Sequence, residues 1–366
     1  MMVYNGSMAK KLMWLVIILL GFGLIVLSSA SVVQANKQFG SSSYYWLHQL
    51  LYGILPGLTV MLGLGRFKYQ RLRPFALPLL FVALVFMVLV FVPTIGLHLK
   101  GATSWLNLRW FTFQPAELLK LSLIIYVAAW LGDNRERVRS WQIGLLPFGI
   151  VMAFVALLLL LQPDLGTLGI VLFIAGGMYF MAGLSYRATA AIIAIVLVLM
   201  FSFAAFSPQR WSRIVTVFNP MQDVRGSGWQ LNQALVAIGS GGLWGVGLGQ
   251  STQTQFGFLP EPIGDSIFAV LVEELGLVGG LATIALFVML GLVLTSIARK
   301  APDVFGSLIA SGMALWILGQ AAVNMMAITG IGPLTGLPLP FISYGGTSMI
   351  AMLAGLGIVL NIAKRS

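Results

Sequence analysis

Long apolar runs recur along this chain and constrain its fold more than any other feature. A helix that crosses a bilayer needs about 20 consecutive, mostly apolar residues. Only 8% of the 366 residues are charged and 59% are hydrophobic, too few charges to cover a water-facing surface. We therefore predict an all-α, polytopic integral membrane protein, a single domain over residues 1–366. The ten predicted spans lie at about 12–31, 46–63, 75–93, 116–131, 144–161, 168–182, 188–206, 266–296, 305–329 and 347–363.

The basic residues lie mainly in short segments between these runs, which indicates membrane topology rather than nucleic-acid binding. With the N-terminus inside, 14 Lys and Arg fall in inner segments and 6 in outer ones. This bias puts both termini in the cytoplasm. Three segments then face outward: 94–115, the large extracytoplasmic loop 207–264 between the seventh and eighth spans, and the Pro/Gly-rich stretch 330–346.

Several classes of site are excluded by residue counts. There are no cysteines, so disulfides, thiol catalysis and cysteine metal sites are impossible. Two histidines, His48 and His98, are too few for a histidine metal cage. The first apolar run lacks a convincing cleavage site, so we expect no cleavable signal peptide.

The large outer loop 207–264 contains two patterned stretches. Leu231, Ala234, Leu235 and Ile238 recur at helical spacing, which predicts a short helix lying in the membrane interface. Six of the eleven residues in 239–249 are glycine. A nucleotide P-loop would need Gly-Lys-Ser/Thr, which is missing, so close backbone packing or a hinge is the better interpretation.

Asp265 is the strongest candidate for chemistry, because it ends the outer loop and precedes the eighth span. A carboxylate there lies at the lipid–water boundary, where a lipid-linked sugar presents its head group. Two interpretations stay open. Asp is a favoured N-cap for a helix that begins at Ser266 or Ile267, or it is a general base that accepts a hydroxyl proton.

Further ionisable residues lie inside predicted spans, where they usually face the bundle interior or a wet cavity. Glu117 and Lys120 share one helix face, either as a structural ion pair or as a site where Lys120 meets a diphosphate. Glu273 and Glu274 are predicted near the bilayer centre, as a structural network, as partners of Lys120 or as part of a proton-coupled path. Outer-face bases that could stabilise a diphosphate leaving group, or anchor to lipid phosphates, are Lys100, Arg109, Arg210 and Arg213. Trp105 and Trp211 are interfacial belt residues or sugar-stacking faces.

Taken in order, these segments resemble the SEDS family (shape, elongation, division and sporulation), of the FtsW and RodA type. The resemblance covers nearly the whole chain, and residues 245–251 are closer to the FtsW branch. The matching segments are Lys100-Gly101-Ala102 with Trp105, Phe113-Gln114-Pro115 with Glu117 and Lys120, residues 162–167, Arg210 with Arg213, residues 237–243, Leu259-Pro260-Glu261 with Asp265, Glu273-Glu274-Leu275-Gly276, and residues 336–346.

The resemblance implies a ten-span peptidoglycan glycosyltransferase that polymerises lipid II on the extracytoplasmic face, with Asp265 as its essential carboxylate. It implies a substrate-binding set of Lys100, Trp105, Glu117, Lys120, Arg210, Arg213, Glu261 and Ser343. Five positions depart from the family pattern: Ile263-Gly264 stands for His-Thr, Ala116 for serine, Ser266 for phenylalanine and His48 for arginine. These changes keep the carboxylate and alter the groups around it.

The expected chemistry is a single inverting displacement in which undecaprenyl diphosphate leaves without protonation. No cofactor is required by the sequence, although a divalent cation, magnesium or manganese, is compatible with the diphosphate. Expected partners are lipid II, undecaprenyl diphosphate, membrane lipid and a class B penicillin-binding transpeptidase. The alternatives are a lipid II flippase, with Glu117, Lys120, Glu273 and Glu274 as a polar path, and a scaffold that positions a transpeptidase.

Overall fold

The computed structural model is built almost entirely of helices. It describes residues 6–99, 102–107, 112–132, 140–184, 186–187, 189–190, 194, 205, 211–213, 215–216 and 226–365. Its helices are α1 Gly6–Phe39, α2 Tyr44–Gln49, α3 Leu55–Leu64, α4 Ala76–Leu89, α5 Pro115–Leu131, α6 Leu146–Leu161, α7 Leu165–Met181, α8 Ser227–Ser240, α9 Thr252–Gln255, α10 Ile267–Lys300, α11 Val304–Ile328 and α12 Gly346–Ala363. A π-helical turn, Leu50–Ile54, joins α2 to α3, and another, Trp141–Leu145, precedes α6; a 3₁₀ turn, Tyr69–Phe75, precedes α4.

Helices long and apolar enough to cross a membrane dominate the described ranges, which confirms the all-α polytopic prediction. Seven meet that description, and α7 is a shorter apolar helix. Nine of the ten predicted runs coincide with helices, while run 188–206 lies almost wholly outside the described residues, so the total of ten stays a prediction. The seven candidate spans are Gly6–Phe39, Tyr44–Leu64, Tyr69–Leu89, Gln142–Leu161, Ile267–Lys300, Val304–Ile328 and Gly346–Ala363.

The centre of the bundle is formed by α11 and α12, which are buried along most of their length, whereas α3 and α4 expose most of their surface. Glycines let these central helices approach their neighbours closely. A Cβ atom on Gly357 of α12 would lie 2.5 Å from the carbonyl oxygen of Met61 on α3, and one on Gly57 would lie 2.6 Å from a methyl carbon of Leu353. Small residues at such crossings are typical of membrane helix packing, where dispersion contacts replace the hydrophobic effect.

The described residues of segment 94–115, which we predict to face outward, include a small antiparallel sheet. Its strands are β1 Gly96–Leu99, β2 Ala102–Asn107 and β3 Thr112–Phe113, in the order β1-β2-β3. Trp105 pairs with Leu97 in this sheet. The sheet leads directly into α5 and therefore fixes where Glu117 and Lys120 begin.

The helix predicted around Leu231 is confirmed as α8. Leu231, Ala234 and Ala237 on one face are buried, whereas Leu235 is exposed. This helix packs on the beginning of α10, so part of its apolar stripe contacts protein instead of lying in the membrane interface.

The long helix α10 is broken at Gly276, whose φ of 69° and ψ of −171° are not helical. The glycine-rich segment after α8 enters this break. The amide nitrogens of Val246 and Gly247 donate to the carbonyl oxygens of Glu273 and Glu274, both at 3.0 Å. A Cβ on Gly276 would lie 2.3 Å from the carbonyl oxygen of Leu243, which confirms close backbone packing.

This break divides α10 into a short arm and a long one. Residues 277–300 alone rise about 36 Å at 1.5 Å per residue, more than the roughly 30 Å of a hydrocarbon core. Glu273 and Glu274 precede this stretch. The long arm is therefore long enough to cross a membrane by itself, and the depth of the two glutamates stays a prediction.

Candidate functional site

Asp265 lies in a turn, residues 259–266, that connects the end of α9 to the start of α10. Helix α10 begins at Ile267 and its N-cap is Ser266, whose side chain makes no capping bond. The N-cap therefore falls one residue later than the capping interpretation of Asp265 requires. The carboxylate is half-buried and lies at the end of the bundle opposite Arg299, Lys300 and Lys364, which end α10 and α12.

This turn is held in place by hydrogen bonds to three consecutive backbone carbonyl groups. The backbone amide of Tyr344 donates to the carbonyl oxygen of Ile263 at 2.9 Å. The hydroxyl of Ser343 donates to the carbonyl oxygen of Gly264 at 2.6 Å, and the amide of Asn324 donates to that of Asp265 at 2.8 Å. With three adjacent peptide groups bonded, the backbone that carries the Asp265 side chain has one defined direction.

Residues 330–345, which supply two of these donors, are themselves anchored to the bundle. Asn324 also donates to the carbonyl oxygen of Leu337 at 2.7 Å. Gln49 accepts from the amide nitrogen of Gly345 at 3.0 Å and donates to the carbonyl oxygen of Ser343 at 3.4 Å. The Ser343 hydroxyl also accepts from the amide nitrogen of Leu339 at 2.8 Å. Buried polar side chains on α2 and α11 thus position a segment that has no regular structure.

The aromatic ring of Tyr344 lies beside the same turn. Its hydroxyl is 2.9 Å from Nδ1 of His48, and its ring meets that of Tyr45 edge to face. Burial raises the pKa of the Tyr344 phenol well above its ordinary value. The phenol therefore stays protonated at neutral pH and acts as a hydrogen-bonding group.

The carboxylate of Asp265 meets an amide from α8. Nε2 of Gln230 lies 3.3 Å from Oδ1 of Asp265 and 3.0 Å from the hydroxyl oxygen of Ser266. On the other side, a Cβ at Gly336 would lie 4.0 Å from Oδ2. The two carboxylate oxygens therefore have different surroundings.

Glu261 shapes the turn through its backbone. Its φ of 51° lies in the left-handed region, which is uncommon for a residue with a side chain. Its carbonyl oxygen accepts from the amide nitrogens of Gly264 at 3.0 Å and Ser266 at 3.2 Å. Strained positions of this kind cluster at functional sites.

Lys120 and Glu117 form the ion pair that their spacing predicts, with Nζ and Oε1 2.8 Å apart and both side chains buried. Nζ of Lys120 also donates to Oε1 of Gln320 at 2.9 Å and lies 4.9 Å from the ring centroid of Trp316. Gln320 in turn donates to the carbonyl oxygen of Pro338 at 2.9 Å. Lys120 is fully enclosed and is linked through Gln320 to residues 330–345.

Glu273 and Glu274 hold the glycine-rich segment. Glu273 accepts from the hydroxyls of Ser251 and Thr252 at 2.6 and 2.8 Å and from the amide nitrogen of Thr252 at 2.9 Å. Glu274 accepts from the hydroxyl of Ser29 at 2.5 Å and from the amide nitrogen of Gly249 at 3.1 Å. This geometry matches the structural-network interpretation of the two acids.

The segment with sequence Gln-Pro-Asp-Leu-Gly-Thr, residues 162–167, packs against the same anchored region. Asp164 caps α7 by accepting from the amide nitrogen and the hydroxyl of Thr167 at 2.9 and 2.7 Å. A Cβ on Gly166 would lie 2.5 Å from the carbonyl oxygen of Thr335. The start of α7 therefore supports the segment that holds the Asp265 turn.

The matches to known proteins extend over this entire architecture. The family model of FtsW/RodA/SpoVE cell cycle proteins matches residues 10–366. This chain belongs to that family. Its members are also known under the name SEDS.

Two curated relatives illustrate the breadth of the SEDS family. The probable peptidoglycan glycosyltransferase FtsW of Trichlorobacter lovleyi is 40% identical over 360 residues, covering 96% of this chain and 92% of that protein. Stage V sporulation protein E of Bacillus subtilis is 37% identical over 351 residues, covering 96% and 95%.

Solved structures of SEDS proteins share the fold. One solved structure describes the structural coordination of polymerization and crosslinking by a peptidoglycan synthase complex. A chain in that structure is 30% identical to this one, with a TM-score of 0.81, and the match covers 99% of this chain and 98% of that chain. Thermus thermophilus RodA is 31% identical, with a TM-score of 0.71, covering 99% and 97%.

The remaining residues of the predicted SEDS substrate-binding set are divided between described and undescribed parts of the chain. Lys100 and Arg210, like Arg109, lie outside the described residues. Trp105 lies on β2, and Arg213 is exposed in the short helical stretch 211–213. Ser343 and Glu261 lie at the Asp265 turn, where Ser343 bonds backbone groups.

The described residues of this SEDS site offer few ligands for a divalent cation. Across the ranges that the structure describes, no group of three or more His, Asp or Glu side chains could hold a metal ion. Mg²⁺ is often held by one or two carboxylates together with substrate phosphates. Asp265 could contribute one carboxylate at this position, with a diphosphate supplying other oxygens.

The neutral amides Gln230, Gln49, Asn324 and Gln320 are the site residues that sequence reasoning missed. Asn324 and Gln320 are spaced i,i+4 in the otherwise apolar α11, and that spacing was an available signal, because polar groups inside a span need partners. Gln230 and Gln49 carried no comparable signal.

Proposed function

We propose that this SEDS protein is a peptidoglycan glycosyltransferase that polymerises lipid II on the extracytoplasmic face of the inner membrane. The observation that carries the proposal is the Asp265 carboxylate, held by a clamped turn at the bundle end opposite Arg299, Lys300 and Lys364. Family membership supports a role in cell-wall synthesis, since FtsW relatives are named peptidoglycan glycosyltransferases. The bias of Lys and Arg toward the other face supports the orientation.

In the proposed reaction Asp265 is the general base. Its carboxylate removes the proton from the acceptor GlcNAc hydroxyl as that oxygen attacks the anomeric carbon of the donor MurNAc. The bond from this carbon to the phosphate oxygen breaks, the configuration inverts, and undecaprenyl diphosphate leaves. Because a diphosphate is stable as an anion, no general acid is needed, in contrast to glycoside hydrolysis.

The ionised form of Asp265 is favoured by its surroundings. It precedes the first turn of α10, where unpaired amide groups and the helix dipole favour negative charge. The Gln230 amide donates to Oδ1, and hydrogen bonds to the charged form stabilise it. A base must be ionised before it can accept a proton, so both features serve the proposed role.

Two groups of cations have different parts in this proposal. Lys100, Arg210 and Arg213 are proposed to stabilise the departing diphosphate, with Trp105 against a sugar face. Lys120 is enclosed and bonded to Glu117 and Gln320. We assign it to positioning residues 330–345, in place of the direct phosphate contact that the sequence suggested.

A penicillin-binding transpeptidase of class B is proposed as the partner that cross-links the glycan. The similar chain from a complex titled for polymerization and crosslinking supports such a pairing. The flippase alternative is less favoured, since Glu273 and Glu274 accept hydrogen bonds from the backbone at Thr252 and Gly249, whereas Lys120 bonds Glu117 and Gln320.

The test is polymerisation of labelled lipid II by the purified protein in proteoliposomes. Asp265→Ala and Asp265→Asn should insert and fold normally yet make no glycan polymer. Asp303→Asn is the matched control, because Asp303 caps α11 and Asn caps equally well. Near-normal polymer from Asp265→Ala, or transfer of lipid II between leaflets without polymer from the native protein, would overturn the proposal.

A further inference from the structure

The side chain of Gln230 on α8 reaches the carboxylate of Asp265 from outside the 259–266 turn. One amide nitrogen serves two acceptors, Oδ1 of Asp265 at 3.3 Å and the hydroxyl oxygen of Ser266 at 3.0 Å. A single donor shared in this way ties the Asp265 side chain to Ser266, the N-cap of α10. Rotation of the carboxylate about its own bond would break the contact.

The position of this amide is set by how α8 is attached. Leu231 and Ala234, which follow Gln230 on α8, are fully buried, and α8 packs along the first segment of α10. At the other end of α8, a Cβ on Gly241 would lie 2.2 Å from the carbonyl oxygen of Val272. The helix that carries Gln230 is therefore fixed at both ends to the helix that follows Asp265.

The consequence is a carboxylate with two distinct oxygens. Oδ1 faces the Gln230 amide, whereas Oδ2 faces Gly336, whose φ of 70° and missing side chain keep the backbone close. Proton transfer requires donor and acceptor within about 2.6–3.2 Å, so the orientation of the carboxylate decides whether this distance is reached.

We propose that Gln230 is a positioning residue that orients the Asp265 carboxylate toward the acceptor hydroxyl. This inference rests on the proposed function, in which Asp265 is the general base. Gln230 neither gives nor takes a proton. It donates one hydrogen bond that favours the ionised carboxylate and limits its rotation, while the proton of the acceptor passes to Asp265.

Two substitutions separate positioning from a purely structural role. Gln230→Met keeps the length and bulk of the side chain and removes the donor. Gln230→Glu keeps the shape and replaces the donor with a carboxylate that repels Asp265. Gln255→Met is the matched control, because Gln255 is an exposed glutamine on α9 whose side-chain amide donates to the carbonyl oxygen of Gly249 at 3.0 Å.

The measurement is the steady-state rate of lipid II polymerisation by the full-length protein, with kcat and KM determined separately and thermal stability recorded for each variant. Gln230→Met should lower kcat about ten- to hundredfold, the range that small misplacements of a catalytic group produce. Gln230→Glu should lower it further. KM and melting temperature should stay close to those of the native protein, and Gln255→Met should retain its kcat.

Three outcomes would overturn a claim, and they can be told apart. If Gln230→Met and Gln230→Glu both keep native kcat while Asp265→Ala is inactive, the positioning role is wrong and the proposed function stands. If kcat falls only in proportion to lost folded protein, Gln230 is structural and the inference is again wrong. If Asp265→Ala polymerises lipid II, or the native protein does not, the proposed function fails and the inference fails with it.

Discussion

Asn324 on α11 donates from a single amide nitrogen to the carbonyl oxygens of Asp265 and Leu337, at 2.8 and 2.7 Å. One buried side chain therefore joins the turn that carries the carboxylate to the segment that clamps it. A central helix of the bundle sets the position of both. The proposed chemistry depends on this connection as much as on the carboxylate.

Replacement of Asn324 by Leu should lower both stability and activity. Two buried carbonyl groups would lose their donor, at about 1–3 kcal/mol for each unsatisfied group. We expect a lower melting temperature and at least a tenfold lower kcat for lipid II polymerisation, measured at equal amounts of folded protein. A variant with native kcat would show that the turn keeps its geometry without α11.

Exchange of the charges at Glu117 and Lys120 tests how Lys120 contributes. Lys120→Met alone leaves the buried Glu117 charge unpaired, a change that typically costs about 3–5 kcal/mol. The double variant Glu117→Lys, Lys120→Glu restores the pair, so we expect it to regain most of the melting temperature and part of the polymerisation rate. Stability regained without any activity would instead support direct contact between Lys120 and the diphosphate.

Removal of the Ser343 hydroxyl should affect the rate more than substrate affinity. Ser343→Ala deletes one group that bonds both Gly264 and Leu339, and we expect about a tenfold fall in kcat, since a hydrogen bond of this kind contributes about 1 kcal/mol. The control is Ser31→Ala, because the Ser31 hydroxyl is buried without a hydrogen-bond partner. A rise in KM with unchanged kcat would assign Ser343 to substrate binding, as the family resemblance suggests.

Gly276 should not tolerate alanine. The new Cβ would lie 2.3 Å from the carbonyl oxygen of Leu243, at a φ of 69°. We expect a loss of about 1–3 kcal/mol from the strained backbone alone, read as a lower melting temperature in detergent. Gly149→Ala is the control, since Gly149 has open space around its Cβ position and alanine favours a helix by up to about 1 kcal/mol. Equal melting temperatures for the two variants would contradict the described packing.

The sequence predicted the large features well because lipid imposes a length and a polarity on every span. Nine apolar runs coincide with helices, and the patterned stripe around Leu231 became α8. The same reasoning placed Asp265 beside the start of α10. These features depend on local composition, which is visible in one sequence.

The finer parts of the site depend on contacts between distant residues and could not be predicted in that way. Gly276 lies within an ordinary apolar run, and only the incoming backbone of residues 242–247 reveals a break there. The donors that hold the Asp265 turn are neutral amides and a hydroxyl whose acceptors are backbone carbonyls. Every residue has a backbone carbonyl group, so the sequence does not indicate which carbonyl accepts a hydrogen bond from a given side chain.

The break at Gly276 has a consequence for how this protein tolerates different membranes. A bilayer of altered thickness makes long helices tilt. Residues 277–300 cannot tilt alone at this point, because the amide nitrogens of Leu277 and Val278 donate to the carbonyl oxygens of Gly242 and Leu243 at 2.9 and 3.2 Å. Both arms of α10 are therefore tied to the segment that follows α8, and a tilt of the long arm would carry that segment with it. The turn that holds Asp265 would then keep its internal geometry when the length of the lipid chains changes.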